Sequence, residues 1–146
     1  MEHAAKAKEL FSTGFNCAQA VFVPYAEEFG LNREQALKLS CGFGGGMGRQ
    51  QKTCGAVSGA YMVIGLKNGK YQPEDNPARE KTYAMVKEFS RRFTEMHSTT
   101  ECSELLQCNL NTEEGKKYFQ EHELSAKVCT QCVKDATVLL DTLLQE

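Results

Sequence analysis

Apolar residues recur at intervals of three and four along most of this chain, and that spacing constrains its fold most strongly. One long stripe of this kind consists of Tyr83, Val86, Phe89, Phe93 and Met96. Alternating runs rich in Val, Ile and Thr, which are typical of β-strands, are nearly absent. With 146 residues the chain has the usual length of one domain. The pattern predicts an all-α fold, a compact bundle of about six to eight helices in a single domain over residues 1–146.

The helices can be located along the chain from periodicity and capping residues. Asn16 and Asn76 stand before two predicted helices as N-cap residues, and Pro77 follows the second. Pro24 lies inside a predicted helix, which it should kink or shorten. Residues 42–48 contain too much glycine for regular structure and predict a tight loop. The predicted helices cover residues 3–12, 16–29, 33–40, 54–66, 77–97, 101–107, 112–122 and 126–144.

The charge of the chain is balanced and excludes several classes of partner. The formal net charge is −2, and acidic and basic residues are interspersed. Such a chain has no sustained attraction for nucleic acid or for an anionic membrane. No stretch approaches the roughly 20 apolar residues of a membrane span, and residues 1–10 lack the apolar run of a secretory signal. We expect a cytoplasmic protein with no nucleic-acid binding and no membrane insertion.

Seven cysteines are the anomaly in this composition. In a reducing cytoplasm they are poor candidates for structural disulfides, and an odd number leaves one thiol unpaired in any case. Cysteine is also a common buried apolar residue, so some of the seven are expected to be core residues. The remaining question is which cysteines carry chemistry.

Three cysteines stand at predicted helix starts. Cys17, Cys54 and Cys102 each fall in the first turn of a predicted helix, directly after capping residues. A helix N-terminus offers free N–H groups and a partial positive charge, which stabilise a thiolate and lower the cysteine pKa. The thiolate is the form that attacks disulfides and binds metals.

Cys129 and Cys132 form a CxxC motif in the last predicted helix. This spacing occurs in thiol oxidoreductases and in zinc and iron–sulfur sites, and it is equally compatible with two core cysteines on an apolar stripe. Val133 follows Cys132, so the motif does not attach a c-type haem. The motif alone leaves these alternatives open.

Two groups of glycines are candidates for contact with a bound group. No strand precedes Gly44, Gly45 and Gly46, and no Gly-Lys-Ser/Thr sequence follows them, so these glycines match neither the Rossmann nor the P-loop signature. Their backbone could approach another helix or offer N–H groups to sulfur atoms. Gly55 and Gly59 lie inside a predicted helix, where each costs about 1 kcal/mol relative to alanine. Tight helix packing and a cofactor pocket explain that cost equally well.

Several blocks of the sequence resemble a known family. They are Asn16–Val21, Phe43–Gly48 running into Cys54–Ala60, and the surroundings of Cys102 and Cys132. Together these blocks resemble the C_GCAxxG_C_C family, which is described as redox-active, and the resemblance spans nearly the whole chain. It implies a helical domain of about this size, similar to one that accompanies haem segments in split-Soret cytochromes.

The resemblance implies which cysteines form the site. Carried over by position, the redox-active or metal-binding set is Cys17, Cys54, Cys102 and Cys132. Cys108 and Cys129 are rivals for the last two places, and Cys41 is a further alternative ligand. We expect these thiols to hold an iron–sulfur cluster or another thiolate-bound metal, or to cycle between dithiol and disulfide.

Three hypotheses about function follow. The leading one is a redox-active protein that transfers electrons through its cysteines to an unknown redox partner. The second is a small binding or dimerisation module with core cysteines, in which the small-residue helix of residues 54–66 forms a homodimer contact. The third is an enzyme with Cys54 as the nucleophile.

Overall fold

The computed structural model describes residues 2–146, and its regular structure is helical. No strand is present in this range, so the all-α prediction is confirmed. Besides the single turn α4, eight α-helices are found among the described residues, in agreement with the predicted number. The helices are α1 (Glu2–Ser12), α2 (Cys17–Glu28), α3 (Arg33–Cys41), α4 (Gly44–Met47), α5 (Gly55–Asn68), α6 (Asn76–His97), α7 (Cys102–Leu106), α8 (Glu113–Glu121) and α9 (Thr130–Gln145).

Helix α2 is the centre of the bundle. Every residue from Ala18 to Ala26 is buried, and α2 packs against α1, α3, α5 and α9. A helix that is apolar on all sides is expected in such a position. Pro24 lies inside this buried stretch, and the helix nevertheless continues to Glu28, so the proline does not shorten it.

Helices α2, α5 and α9 run in the same direction. A Cβ on Gly59 would lie 2.9 Å from the carbonyl oxygen of Ala18, and one on Gly55 would lie 3.0 Å from the amide nitrogen of Ala18. Further along, the Tyr25 hydroxyl of α2 lies 3.0 Å from the carbonyl oxygen of Thr137 in α9. One cavity is lined by residues at all three helix starts, Cys17, Cys54 and Cys129, so the three helices begin at the same end of the bundle.

Helix α6 differs from its prediction in two details. Its cap is Asp75, whose carboxylate accepts a hydrogen bond from the Ala78 amide at 3.2 Å, so the prediction of Asn76 as the cap was wrong by one residue. The apolar stripe is buried only in the middle, at Phe89 and Phe93. Tyr83 and Met96 are 55% and 50% exposed, because the stripe extends beyond the core at both ends.

Among the described residues, no helix has both the length and the apolar character required to cross a bilayer. The longest helix, α6, carries charged residues along its exposed side. The cost of moving such side chains into hydrocarbon excludes this helix as a span.

Candidate functional site: a thiol-lined cavity

A capped turn fixes Cys17 at the start of α2. Asn16 Oδ1 accepts a hydrogen bond from the Gln19 amide at 3.0 Å, and Gln19 Oε1 accepts one from the Asn16 amide at 2.9 Å. This reciprocal pair is a capping box. The side-chain amide of Asn16 also donates to the carbonyl oxygen of Cys41 at 2.9 Å. Cys17 is the first residue of α2, as the sequence predicts.

Two extended segments pair briefly and place Cys54 next to Cys102. The Cys54 amide donates to the carbonyl oxygen of Thr100 at 2.8 Å, and the Cys102 amide donates to that of Lys52 at 2.7 Å. Cys102 is the first residue of α7, as predicted. Cys54 is itself the N-cap of α5, and not a first-turn residue behind Thr53 as expected, because α5 begins one residue later.

The segment between α3 and α5 has an unusual backbone. Gly45 and Gly46 have φ angles of 69° and 72° within the turn α4. Met47, Arg49 and Gln51 also have positive φ angles, of 66°, 64° and 58°. This conformation costs roughly 1 kcal/mol or more at a non-glycine residue, and such residues cluster at functional sites. The predicted tight loop is thus confirmed and is also a strained one.

The CxxC motif stands where a π-helical turn joins α9. The π turn covers Ser125–Cys129, and Thr130 begins α9. The wider turn is a departure from the single helix predicted for residues 126–144, and π turns are frequent at functional sites. Cys132 is only 1% exposed and Cys129 is half-buried.

Five of the seven cysteines line one cavity of about 510 Å³ at the end of the bundle where α2, α5 and α9 begin. Arg49 and Lys116, both exposed, line the same cavity and show that it reaches the surface. Cys41 is exposed and Cys108 lines a separate shallow pocket, so neither faces the cavity. The five cysteines of the cavity are Cys17, Cys54, Cys102, Cys129 and Cys132.

Cys54 and Cys132 form a hydrogen-bonded thiol pair. The Cys132 thiol donates to the Cys54 sulfur, and this bond is the main reason that the pKa of Cys54 is lowered. The amides of Ala56 and Val57, at the start of α5, stabilise the same thiolate. The pKa of Cys132 is raised well above its usual value, first by donating to Cys54 and then by burial. The pair therefore loses its first proton at Cys54.

Cys17 and Cys129 form the second pair. A hydrogen bond between the two thiols lowers the pKa of Cys129 and raises that of Cys17, whose burial acts in the same direction. The lowered pKa expected for Cys17 from its place at a helix start was therefore wrong. Its partner Cys129 takes the charge, and Cys17 stays protonated.

Cys102 is the fifth thiol of the cavity and has no thiol partner of this kind. Burial raises its pKa to about 12, with the charges of Cys54 and Cys129 acting in the same direction. The prediction that the pKa of Cys102 is lowered was wrong too, because the N-terminus of the five-residue helix α7 stabilises the thiolate less than burial destabilises it. A hydrogen bond with the Gln51 side chain favours the Cys102 thiolate but does not offset burial.

Gln51 is a buried residue of the site that sequence reasoning missed. Its Nε2 donates to the carbonyl oxygen of Cys108 at 2.7 Å, and its Oε1 accepts from the Leu110 amide at 2.8 Å. It thus ties the chain after α7 to the strained segment. No local signal in the sequence distinguishes Gln51 from its neighbour Gln50.

The glycines proposed for cofactor contact divide into two groups. Gly45, Gly46 and Gly55 line the cavity, whereas Gly44 and Gly59 do not. A Cβ on Gly44 would lie 2.4 Å from Asn16 Cγ, so this glycine makes room for the cap of α2. The groove at Gly55 and Gly59 is filled by α2 of the same chain and is not free for a dimer contact. Cofactor contact by Gly45, Gly46 and Gly55 stays a prediction.

The arrangement of the thiols bears on the metal prediction. Within residues 2–146, no group of three or more His, Cys, Asp or Glu side chains is arranged to hold a metal ion. Thiolates are ligands of both zinc and iron–sulfur clusters, and five cysteines line this cavity. The iron–sulfur cluster and the other thiolate-bound metal therefore stay predictions.

The fold and the cavity together define an all-α, cysteine-rich domain with its thiols gathered at one end. The family model described as "Putative redox-active protein (C_GCAxxG_C_C)" matches residues 15–143. Since this match covers nearly the whole chain, the protein belongs to the C_GCAxxG_C_C family. An uncharacterized protein of Archaeoglobus fulgidus is 30% identical over 116 residues, covering 72% of this chain and 77% of that protein. No solved structure matches the chain.

Proposed function

We propose that this protein is a thiol redox protein that gains and loses two electrons at the Cys54–Cys132 pair, with Cys54 as the attacking sulfur. The observation that carries the proposal is that two buried thiols, Cys54 at the N-cap of α5 and Cys132 on α9, line the same cavity, where the neighbouring Cys132 thiol lowers the pKa of Cys54. A thiolate stabilised by a neighbouring thiol and by helix N–H groups is a good nucleophile, and its partner is already in place to complete a disulfide.

The reaction at this pair is thiol–disulfide exchange. The Cys54 thiolate attacks one sulfur of a disulfide RSSR, the S–S bond breaks, and one RS⁻ leaves. Cys132 then loses its proton and attacks the Cys54 sulfur, and the second RS⁻ leaves. In sum, RSSR is reduced to two RSH while the two protein thiols are oxidised to one disulfide. The reverse reaction makes the oxidised pair an acceptor of two electrons.

The same arrangement explains how Cys132 becomes the nucleophile in the second step, the attack on the mixed disulfide at Cys54. The pKa of Cys132 is raised above all by its hydrogen bond to Cys54. Once Cys54 is part of a mixed disulfide, it carries no negative charge and that cause disappears. Cys132 therefore becomes easier to deprotonate at the stage where it must attack. The Cys17–Cys129 pair lines the same cavity and offers a second site for the same chemistry.

One further observation favours a second candidate function, one-electron transfer through an iron–sulfur cluster. Five cysteine side chains line a single cavity, and thiolates are the usual ligands of such clusters. Cys17, Cys54, Cys102 and Cys132 would hold the group, which supplies one-electron chemistry when bound. The chain itself would contribute ligands, an apolar surround and N–H groups from Gly45 and Gly46.

Disulfide mapping of the reduced and the oxidised protein tests the proposal. Protein purified without oxygen is fully reduced and then treated with a small disulfide, and peptides are analysed by mass spectrometry. We expect one bond between Cys54 and Cys132 and a slower one between Cys17 and Cys129. Cys54→Ser should abolish the first bond, and Cys41→Ser, at an exposed cysteine outside the cavity, should leave both.

The contrary results are equally specific. Bonds that involve only Cys41 or Cys108, or none at all, would refute the thiol proposal. Iron in stoichiometric amount after anaerobic purification, with visible absorption that Cys54→Ser removes and Cys41→Ser retains, would establish the cluster instead.

A further inference from the structure

The walls of the thiol cavity are largely apolar. Six partly or fully buried apolar side chains line it together with the thiols, and they come from α1, α7, the residues after α7, α8 and the π turn before α9. A cavity of about 510 Å³ with such walls has the size and character of a small-molecule site. The six residues are Phe11, Leu105, Leu106, Leu110, Phe119 and Val128.

The charges at the mouth have one sign. Arg49 and Lys116 line the cavity, and no Asp or Glu is among the described residues that line it. Glu113 forms an ion pair with Lys116, with an oxygen 3.7 Å from the Lys116 ammonium, and it lies outside the lining. Arg49 forms no ion pair with another residue of the described range. A ligand with an anionic group at the mouth would therefore gain favourable contacts, above all from Arg49.

The thiols lie too deep for a protein disulfide. Cys54 is 6% exposed and Cys132 is 1% exposed. A mixed disulfide with another protein would bring the Cα atom of the partner cysteine within about 7 Å of the Cys54 Cα atom. The backbone of the partner would then have to enter the cavity, between the apolar side chains of its mouth. A small molecule meets no such obstacle.

We propose that the redox partner of this site is a small disulfide, or the corresponding thiol, with an apolar body and an anionic group. This inference rests on the proposed thiol function and specifies its substrate class. The apolar body lies against Phe11, Leu105 and Phe119, the anionic group lies at Arg49, and one sulfur reaches Cys54. Exchange then proceeds as written above: two RSH molecules leave, and Cys54 and Cys132 are joined by a disulfide.

Exchange rates with three small disulfides test the substrate class. The probes are 5,5′-dithiobis(2-nitrobenzoate), which is aromatic and anionic, 4,4′-dithiodipyridine, which is aromatic and neutral, and cystamine, which is polar and cationic. Each rate at Cys54 is divided by the rate of the same probe with N-acetylcysteine, which removes differences in intrinsic reactivity. We expect the order anionic aromatic, neutral aromatic, polar cationic, with the first exceeding the last at least about tenfold, the factor that corresponds to 1.4 kcal/mol.

Two variants assign the preference to residues. Arg49→Gln should lower the ratio of the anionic to the neutral aromatic rate by about two- to fivefold, as expected for one partly exposed charge pair. Lys81→Gln, at an exposed lysine of α6 that does not line the cavity, should leave that ratio unchanged. Phe119→Ala should lower both aromatic rates relative to cystamine.

The outcomes separate the substrate class from the function itself. Equal normalised rates for the three probes would overturn the inference while leaving thiol exchange at Cys54 intact. A protein disulfide, tested with oxidised thioredoxin, that reacts as fast as the aromatic probes would overturn it as well. If Cys54 reacts with none of the disulfides, the proposed function itself is refuted.

Discussion

The two ends of the helix bundle use the same helices for different chemistry. At the end where α2 and α9 begin, the buried polar atoms are thiols in two hydrogen-bonded pairs. At the opposite end a buried phenol meets a half-buried imidazole and carboxylate, and the exposed carboxylate of Glu28 contacts the imidazole. Tyr25 donates from its hydroxyl to Asp141 at 2.8 Å, and His3 lies between Asp141 at 2.8 Å and Glu28 at 2.5 Å.

The polar end joins helices without any strained backbone. His3 of α1 stacks on the ring of Tyr25 of α2 with their centres 4.0 Å apart, and both contact Asp141 of α9. All three residues stand within regular helices. Burial, followed by the hydrogen bond to Asp141, raises the pKa of Tyr25, so the phenol stays protonated and keeps donating.

The thiol end, in contrast, is built from strained loops and close backbone contacts. Met47, Arg49 and Gln51 at the thiol end have positive φ angles. His3, Tyr25 and Asp141 at the polar end do not. Departures from locally favourable structure are expected at functional sites and must be offset elsewhere. The comparison therefore supports the proposal that the thiol end carries the chemistry, with the polar end stabilising the bundle. The following predictions test that division, from the largest expected effect to the smallest.

Replacing Gly59 tests whether the thiol end depends on close contact between α2 and α5. The Cβ of Gly59→Ala would lie 2.9 Å from the carbonyl oxygen of Ala18 and 3.3 Å from Val21 Cβ. We expect a loss of about 2–4 kcal/mol in the free energy of unfolding, measured with urea.

Gly65 provides the matched control in the same helix. A Cβ at Gly65 would meet nothing within 4 Å. Gly65→Ala should therefore stabilise the protein by up to about 1 kcal/mol, through helix propensity alone. The same sign of effect in both variants would contradict the close packing of α5 on α2.

Removing the Gln51 side chain should loosen the thiol end in particular. Gln51→Ala leaves the carbonyl oxygen of Cys108 and the amide of Leu110 without their partner, at a cost of about 1–3 kcal/mol. Gln50→Ala, at an exposed residue, should change the stability by less than about 0.5 kcal/mol. Hydrogen exchange should show the added opening at residues 102–110; opening spread equally over α1 would count against this role.

Removing one hydroxyl group tests the polar end. Tyr25→Phe should lower the free energy of unfolding by about 1–2 kcal/mol, because the buried carbonyl of Thr137 and the Asp141 carboxylate lose a donor. Tyr83→Phe, at an exposed tyrosine, should change it by less than about 0.5 kcal/mol. The rate of Cys54 with small disulfides should stay the same in both variants. A marked fall in that rate for Tyr25→Phe would show that the two ends are coupled.

The pH dependence of alkylation gives the smallest and most local test. The pKa of Cys54 is lowered by its partner thiol and the N–H groups of α5, whereas burial raises that of Cys102 to about 12. Alkylation of Cys54 by iodoacetamide should therefore increase at lower pH than that of a free cysteine, and alkylation of Cys102 only at much higher pH. Peptide mass spectrometry follows both sites. Cys132→Ala should move the Cys54 profile to higher pH, and an unchanged profile would argue against the hydrogen-bonded pair.

Much of the fold could be predicted from the sequence, because its signals are local. The period of apolar residues specifies the helices, and Asn16 with Gln19 specifies the start of α2. The same local signals placed Cys17, Cys54 and Cys102 in the first turns of helices, which is correct for Cys17 and Cys102 and one residue off for Cys54, the cap of α5. Errors were confined to boundaries, such as Asp75 in place of Asn76 as the cap of α6.

The sequence by itself determined that the chain is helical and that several thiols stand where helices begin. Only the tertiary structure decided which thiols meet. Cys129 forms a pair with Cys17, whereas Cys102, which its helix-start position and the resemblance favoured for the site, lines the same cavity without a thiol partner and lies beside Gln51. The physical reason is that thiol pairing depends on the parallel packing of α2, α5 and α9 and on the π turn before Thr130. Contacts between residues so distant in the chain are set by the whole core and not by any local pattern.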